Sequence, residues 1–210
     1  MGIDPTRGAL LGMLTEKPSL GERIDQGGIV GYAILALGAI GILFALYRFI
    51  YLMGVTTKVR KQLEHPQAPS DDNPLGRILS VCHSQNPQSP EDLEVTLDDA
   101  IIKEIPKLEA GHGYIKLLAA IAPLMGLLGT VTGMIETFQA ITLFGTGDPK
   151  LMAGGISQAL VTTVLGLVMA IPLLFAHSLI SGRSKAVIQI LDEQSAGLLA
   201  SRIEERQHGH

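Results

Sequence analysis

LMAGGISQALVTTVLGLVMAIPLLFAHSLISG, running from Leu151 to Gly182, is 32 residues without one Asp, Glu, Lys or Arg. As a helix it measures about 48 Å at 1.5 Å per residue, whereas a hydrocarbon core is about 30 Å thick. This stretch decides the class of the chain. It crosses a bilayer and has residues to spare, so its C-terminal end is expected to project into the cytoplasm. Two further stretches repeat the pattern. Gly27–Tyr47 carries no charge and continues through Met53, with Arg48 near its end placed to snorkel to the interface. Leu117–Ile135 is charge-free, is interrupted at Glu136, and runs on to Phe144. Three such helices in 210 residues leave too little chain to cover them, which excludes a soluble helical core.

Composition agrees. Apolar residues make up 47% of the chain and charged residues 17%, against roughly 25% in a soluble domain. The charge is gathered in residues 54–116 and in the last thirty positions. Residues 1–26 mix acids and bases and lack a continuous apolar core, so a cleavable signal peptide is not expected there. Net charge is −4, and Lys and Arg form no stripe with interleaved aromatics, so no nucleic-acid partner is expected.

Enzyme chemistry finds no foothold. The six histidines form no HxxxH pair, the single Cys82 forms no CxxC, and GxSxG and phosphate-binding glycine loops are absent. No metal site and no cofactor are expected.

Orientation follows the Lys/Arg bias. Lys58, Arg60 and Lys61 follow the first span, Lys103, Lys107 and Lys116 precede the second, and Arg183 and Lys185 follow the third. The link between the second and third has only Lys150 beside it. The expected architecture is an all-α membrane protein with three transmembrane helices and a periplasmic N-terminus. Residues 1–26 form a periplasmic amphipathic segment on the lipid surface, or a disordered leader. Transmembrane helix 1 covers 27–53, a helical cytoplasmic loop 54–113, and helix 2 residues 114–144. A periplasmic turn occupies 145–150, helix 3 residues 151–182, and a cytoplasmic tail 183–210. Helices 2 and 3 extend into the cytoplasm.

Within the loop, Thr56–Glu64 continues the first helix, His65–Pro74 breaks it, and a short helix forms around Leu75–His83. Ser89 caps a further helix with Pro90 in its first turn, and Leu93, Leu97, Ala100, Ile101, Ile105 and Leu108 mark its apolar stripe. That stripe is expected to bury against the cytoplasmic ends of helices 2 and 3, with a kink at Pro106.

Polar residues inside apolar spans must find a partner or line a wet path. On helix 2, Gly126, Gly129, Thr130, Gly133 and Thr137 share one side, and Gly129 and Gly133 form a small-xxx-small pair. On helix 3, Gly155, Ala159, Thr163, Gly166 and Ala170 form a small face, with Ser157, Gln158 and Thr162 beside it. Two readings fit these residues. The helices pack closely and each threonine bonds back to the carbonyl one turn earlier, or the hydroxyls line a narrow polar lumen. The central parts of helices 2 and 3 hold no Asp, Glu, Lys or His. If protons pass, their main carrier therefore belongs to a partner chain.

The residues Ala122-Pro123 through Gly126-Leu-Leu-Gly129-Thr130-Val131-x-Gly133 resemble the second-helix signature of the MotA/TolQ/ExbB proton-channel family. Gly155-Ile-Ser-Gln-Ala159-Leu160-x-Thr-Thr163-x-x-Gly166 through Ala170-Ile171-Pro172 resemble its third-helix signature. The likeness extends over roughly residues 25–200 and is nearest the ExbB branch, including its longer variants. It implies a ring oligomer, a pentamer, enclosing an ExbD/TolR-like single-span protein that carries a membrane aspartate. It further implies transmission to a TonB-like protein in the inner membrane of a Gram-negative bacterium, or the TolQ role in envelope constriction. A scaffold that conducts nothing is the rival of another class. Thr130 and Thr163 fall on the family's pore-lining threonines, with Thr162, Gln158 and Ser157 adjoining the pathway. Gln158 stands where ExbB-like proteins often have Glu, and an amide does not titrate. Glu136 is a periplasmic-side charge that pairs with Lys150, faces water or meets the partner.

Overall fold

The computed structural model describes residues 20–65, 68–85, 89–145 and 149–208. The amphipathic segment expected over residues 1–26 lies mostly outside these, as do the middle of the 145–150 turn and His210. The elements are α1 (Leu20–Asp25), α2 (Gly28–Glu64), α3 (Pro74–Gln85), α4 (Pro90–Glu109), α5 (His112–Phe144) and α6 (Pro149–His208). No strand occurs among the described residues. Three helical stretches are long and apolar enough to cross a membrane: Gly28–Glu64, Pro90–Phe144 and Met152–Glu204. In the second of these the apolar part is α5, because α4 carries nine charged residues among its twenty.

α6 runs unbroken for 60 residues with Pro172 inside it, well past the expected end of the span at Gly182. Its contour is about 90 Å at 1.5 Å per residue. From Arg183 onward the charges alternate with an apolar seam. Leu173, Ile180, Val187 and Leu191 are all buried, at spacings that keep one helical face inward.

The described chain forms two compact units, the first made of residues through Ile40 with Leu118–Ile171, the second of Gly41–Leu117 with Pro172 onward. In the first unit the residues buried along α5 and α6 are small and the exposed ones are large. Ala119, Ala122, Ala159 and Ala170 are buried, while Leu124, Val131, Leu160 and Val164 are exposed. This inverts a water-soluble core. It is the arrangement expected where lipid surrounds the helices, because helices that gain nothing from hiding leucine gain contact by bringing backbones together. α2 enters this unit through Gly28, whose φ of +57° is the left-handed conformation that a side chain disfavours.

The second unit has an ordinary core of Leu52, Ile78, Leu97, Ile115 and their neighbours. α3 packs on α4, and α4 begins as its sequence dictates. Ser89 Oγ accepts from Asp92 N at 3.0 Å, Pro90 occupies the first turn, and Glu91 and Asp92 sit at the positive end of the helix dipole. Leu97 and Ile101 border a cleft with Ala196 and Leu199 of α6, in the stretch expected as a tail beyond the third span. The breaker run is held by one side chain. Gln62 Nε2 donates to the carbonyls of His65 (2.8 Å) and Ala68 (3.1 Å), and Gln62 Oε1 accepts from Ser70 N (3.0 Å) and Asn73 Nδ2 (3.2 Å). Asn73 Oδ1 then accepts from Gly76 N at 2.7 Å and starts α3.

The buried stripe of α4 differs from the expected one at a single position. Glu104 is buried and Ile105 only half-buried. Arg77 donates to both Glu104 oxygens, at 2.9 and 2.6 Å, and Lys107 Nζ to one at 2.8 Å. Burial alone would raise this carboxyl's pKa, but the hydrogen bonds and charges of Arg77 and Lys107 outweigh it and hold the pKa below its ordinary value. A depressed folded pKa means the contribution to stability is complete above the unfolded value of about 4.3 and is lost as pH falls through the folded one. Glu104→Gln is therefore expected to cost about 2 kcal/mol at pH 7, less than a fully buried pair because the Arg77 side chain is 35% exposed. Denaturant titrations at pH 7 and pH 3 check this. The gap between parent and variant should shrink at pH 3.

Candidate functional site

The site is the contact between α5 and α6 inside the first unit, and glycine makes it possible. A Cβ at Gly133 would stand 2.6 Å from the Gly155 carbonyl oxygen and 2.9 Å from Ala159 N. One at Gly166 would stand 2.7 Å from the Ala122 oxygen, and one at Gly126 3.0 Å from the Thr162 oxygen. Thr162 fills the space a side chain on Gly129 would need, and Thr137 Oγ1 does the same for Gly155. The two backbones thus touch along a line through Gly126, Gly129 and Gly133 on one helix and Gly155, Ala159 and Gly166 on the other. Ala170 is buried further along α6.

The hydroxyls on this line serve their own helices. Thr130 donates to Leu127 O at 2.6 Å, Thr137 to Gly133 O at 2.9 Å and Thr163 to Ala159 O at 3.2 Å. Thr162 donates to Gln158 O (2.9 Å) or Ala159 O (3.0 Å). A hydroxyl whose proton is committed this way keeps lone pairs to accept from a visiting donor. Accessibility separates the threonines: Thr162 has no exposed surface, whereas Thr130 and Thr163 are half-buried. Only the latter two can meet a group from outside the chain without rearrangement.

A second polar cluster lies on residues 26–28, 136 and 157–158. Ser157 Oγ donates to Gln26 Oε1 at 3.0 Å, and Gln158 Nε2 reaches Glu136 Oε1 at 3.5 Å, the outer limit for a hydrogen bond. A Cβ at Gly28 would lie 3.3 Å from the Gln158 amide nitrogen. Glu136 is exposed. Its expected pairing with Lys150 concerns a side chain outside the described ones. Among the described residues no group of three or more His, Cys, Asp or Glu side chains is arranged to hold a metal ion.

Arg48 departs from expectation. It does not snorkel but is 7% exposed, donating to the carbonyls of Lys107 (3.3 Å) and Leu108 (3.0 Å), with its guanidinium 5.0 Å from the Tyr51 ring centre. It thereby satisfies free carbonyls at the end of α4, where a cation also complements the helix dipole. Glu104 and Gln62 were likewise invisible as anchors, although Glu104 sits at i+4 from Ala100 and i−4 from Leu108, on the stripe itself.

Residues 70–193 match the profile of the MotA/TolQ/ExbB proton channel family, and the chain belongs to that family. It is 31% identical over 177 residues to a putative biopolymer transport protein ExbB homolog of Methanothermobacter thermautotrophicus, covering 77% of this chain and 63% of the relative. It is 31% identical over 128 residues to the biopolymer transport protein ExbB of Xanthomonas campestris pv. campestris (61% of this chain, 47% of the relative). It is also 32% identical over 108 residues to the Tol-Pal system protein TolQ of Haemophilus influenzae (50% and 47%). The chain thus spans about half to two thirds of these relatives' lengths. With its three apolar helices, it is a multi-pass membrane protein.

Proposed function

We propose that the chain is the ring-forming subunit of a proton-driven energiser in the inner membrane of a Gram-negative bacterium. The observation that carries this is the pair of half-buried hydroxyls, Thr130 and Thr163, on closely packed helices that hold no ionisable side chain at their centre. Such a surface cannot carry a proton by itself. It can solvate an acid brought by another chain, accepting a hydrogen bond from the neutral form and ordering water beside the charged one. The complementary partner is a single-span protein of the ExbD/TolR kind with an aspartate in its membrane helix, enclosed by several copies of this chain. The Lys/Arg distribution supports a periplasmic N-terminus, with the charged part of α6 in the cytoplasm.

In this reading Gly126, Gly129, Gly133, Gly155, Ala159, Gly166, Ala170 and the enclosed Thr162 hold the wall together. Thr130 and Thr163 face the partner, and Ser157, Gln158 and Glu136 form the polar mouth. The client is a TonB-like protein that serves outer-membrane transport. A TolQ-like role is the second reading, favoured by the likeness to the Haemophilus protein. Co-expression with a single-span protein of the ExbD/TolR kind tests the core of the proposal. The two chains should purify in a fixed ratio with several copies of this chain per assembly. Recovery of this chain as a lone monomer would overturn it. Loss of TonB-dependent uptake on deletion would separate the first client from constriction defects of the Tol type.

A further inference from the structure

A cleft of about 270 Å³ opens in the second unit where α2 passes from apolar to charged sequence. Ile50, Tyr51, Val55 and Leu108 form its apolar wall. Lys58, Arg77 and Lys107 contribute three cations, and Asp72 and Glu104 two carboxylates. The carboxylate of Glu104 is already engaged by both Arg77 and Lys107. Lys58 is exposed and makes no ion pair among the described residues. The cleft therefore keeps one uncommitted cation above an apolar floor. Gly54 lines it beside open space, since a Cβ there would meet nothing within 4 Å. Leading away from it along α2, Leu43, Tyr47 and Ile50 are exposed at helical spacing on one face.

A phosphate-sized polar end joined to an apolar track describes an amphiphile. We propose that this cleft holds the headgroup phosphodiester of a membrane phospholipid against Lys58, with an acyl chain laid along Ile50, Tyr47 and Leu43. Asp72 then stands ready for a hydroxyl or ammonium of the headgroup. A second cleft of about 200 Å³, which shares Lys58 and Asp72, extends the space towards Lys61. The site joins a span to the helical loop beside it, so an occupied cleft ties α2 to α3 and α4 through lipid.

Native mass spectrometry of the full chain in detergent, incubated with phosphatidylglycerol, tests this. The parent should retain lipid, and Lys58→Met, which keeps the stem and removes the charge, should lower retention about fivefold. Lys58→Arg should restore it. Gly54→Leu should expel the lipid without altering charge, and Lys185→Met, at an exposed site on α6, should change nothing. Circular dichroism verifies that the variants fold. If Gly54→Leu lost its helicity, Lys58→Met and Lys58→Arg would still decide. Equal retention by the parent and Lys58→Met would overturn the proposal. So would displacement of the lipid by inorganic phosphate at equal concentration, which would mark a site for soluble anions.

Discussion

Gly155→Val is expected to leave almost no folded protein in detergent, while Ile156→Val beside it leaves the yield unchanged. The Cβ of any residue at 155 lands on Thr137 Oγ1 and comes 2.6 Å from the Gly133 carbonyl oxygen. A backbone oxygen cannot rotate away as a side chain can, so α5 and α6 must separate. Overpacking of this kind costs about 3 kcal/mol or more, a large share of a typical domain's stability. Ile156 is 44% exposed and loses only a methyl group from the surface. Size-exclusion profiles and urea or SDS titration of both variants check the contrast. A related exchange sharpens it. Gly129→Ala collides with the Thr162 side chain, so Thr162→Gly should rescue Gly129→Ala. It should not rescue Gly155→Val, whose obstacles are Thr137 and the Gly133 backbone.

The second large effect falls on function and spares the fold. Thr130→Val combined with Thr163→Val keeps shape and volume and removes two oxygens. Both hydroxyls donate to carbonyls of their own helix, so their loss should cost assembly little, about 0.6 kcal/mol for a hydrogen bond within a membrane protein. Under the proposed function, a partner acid moving past the wall then loses its acceptors. Leaving a buried polar group unpaired costs about 1–3 kcal/mol, and each 1.4 kcal/mol is tenfold in rate. Energised transport should fall by about tenfold or more, while the amount of assembled complex stays within twofold. Transport at the parental rate would count against a polar path at these residues.

The spans were legible because lipid imposes a rule that no tertiary detail overrides. A helix must be long and apolar, and Leu151–Gly182 is both. The start of α4 was legible for a local reason, since Ser89, Pro90, Glu91 and Asp92 each satisfy an end-of-helix need within one turn. What stayed hidden depended on partners distant in sequence. Glu104 reads as a surface acid until Arg77 arrives from α3, 27 residues away. Arg48 reads as a snorkelling cation until the α4 carbonyls arrive, 59 and 60 residues on. Within the candidate site, spacing placed the glycines and threonines on common faces. Spacing put Thr163 on the small face of the third helix and Thr162 beside it, whereas Thr162 is the enclosed one and Thr163 is half-buried. Neighbours on one helix turn about 100° apart, and only the position of Gly129 on the other helix shows which of them is enclosed.

The central claim is that this chain supplies neutral hydroxyls and another chain supplies the acid. Proton flux into proteoliposomes, driven by a potassium diffusion potential, tests it most directly. The purified chain alone should leak no faster than empty liposomes, and adding the single-span partner should raise the flux well above that background. A robust proton current from this chain without any partner would contradict the account.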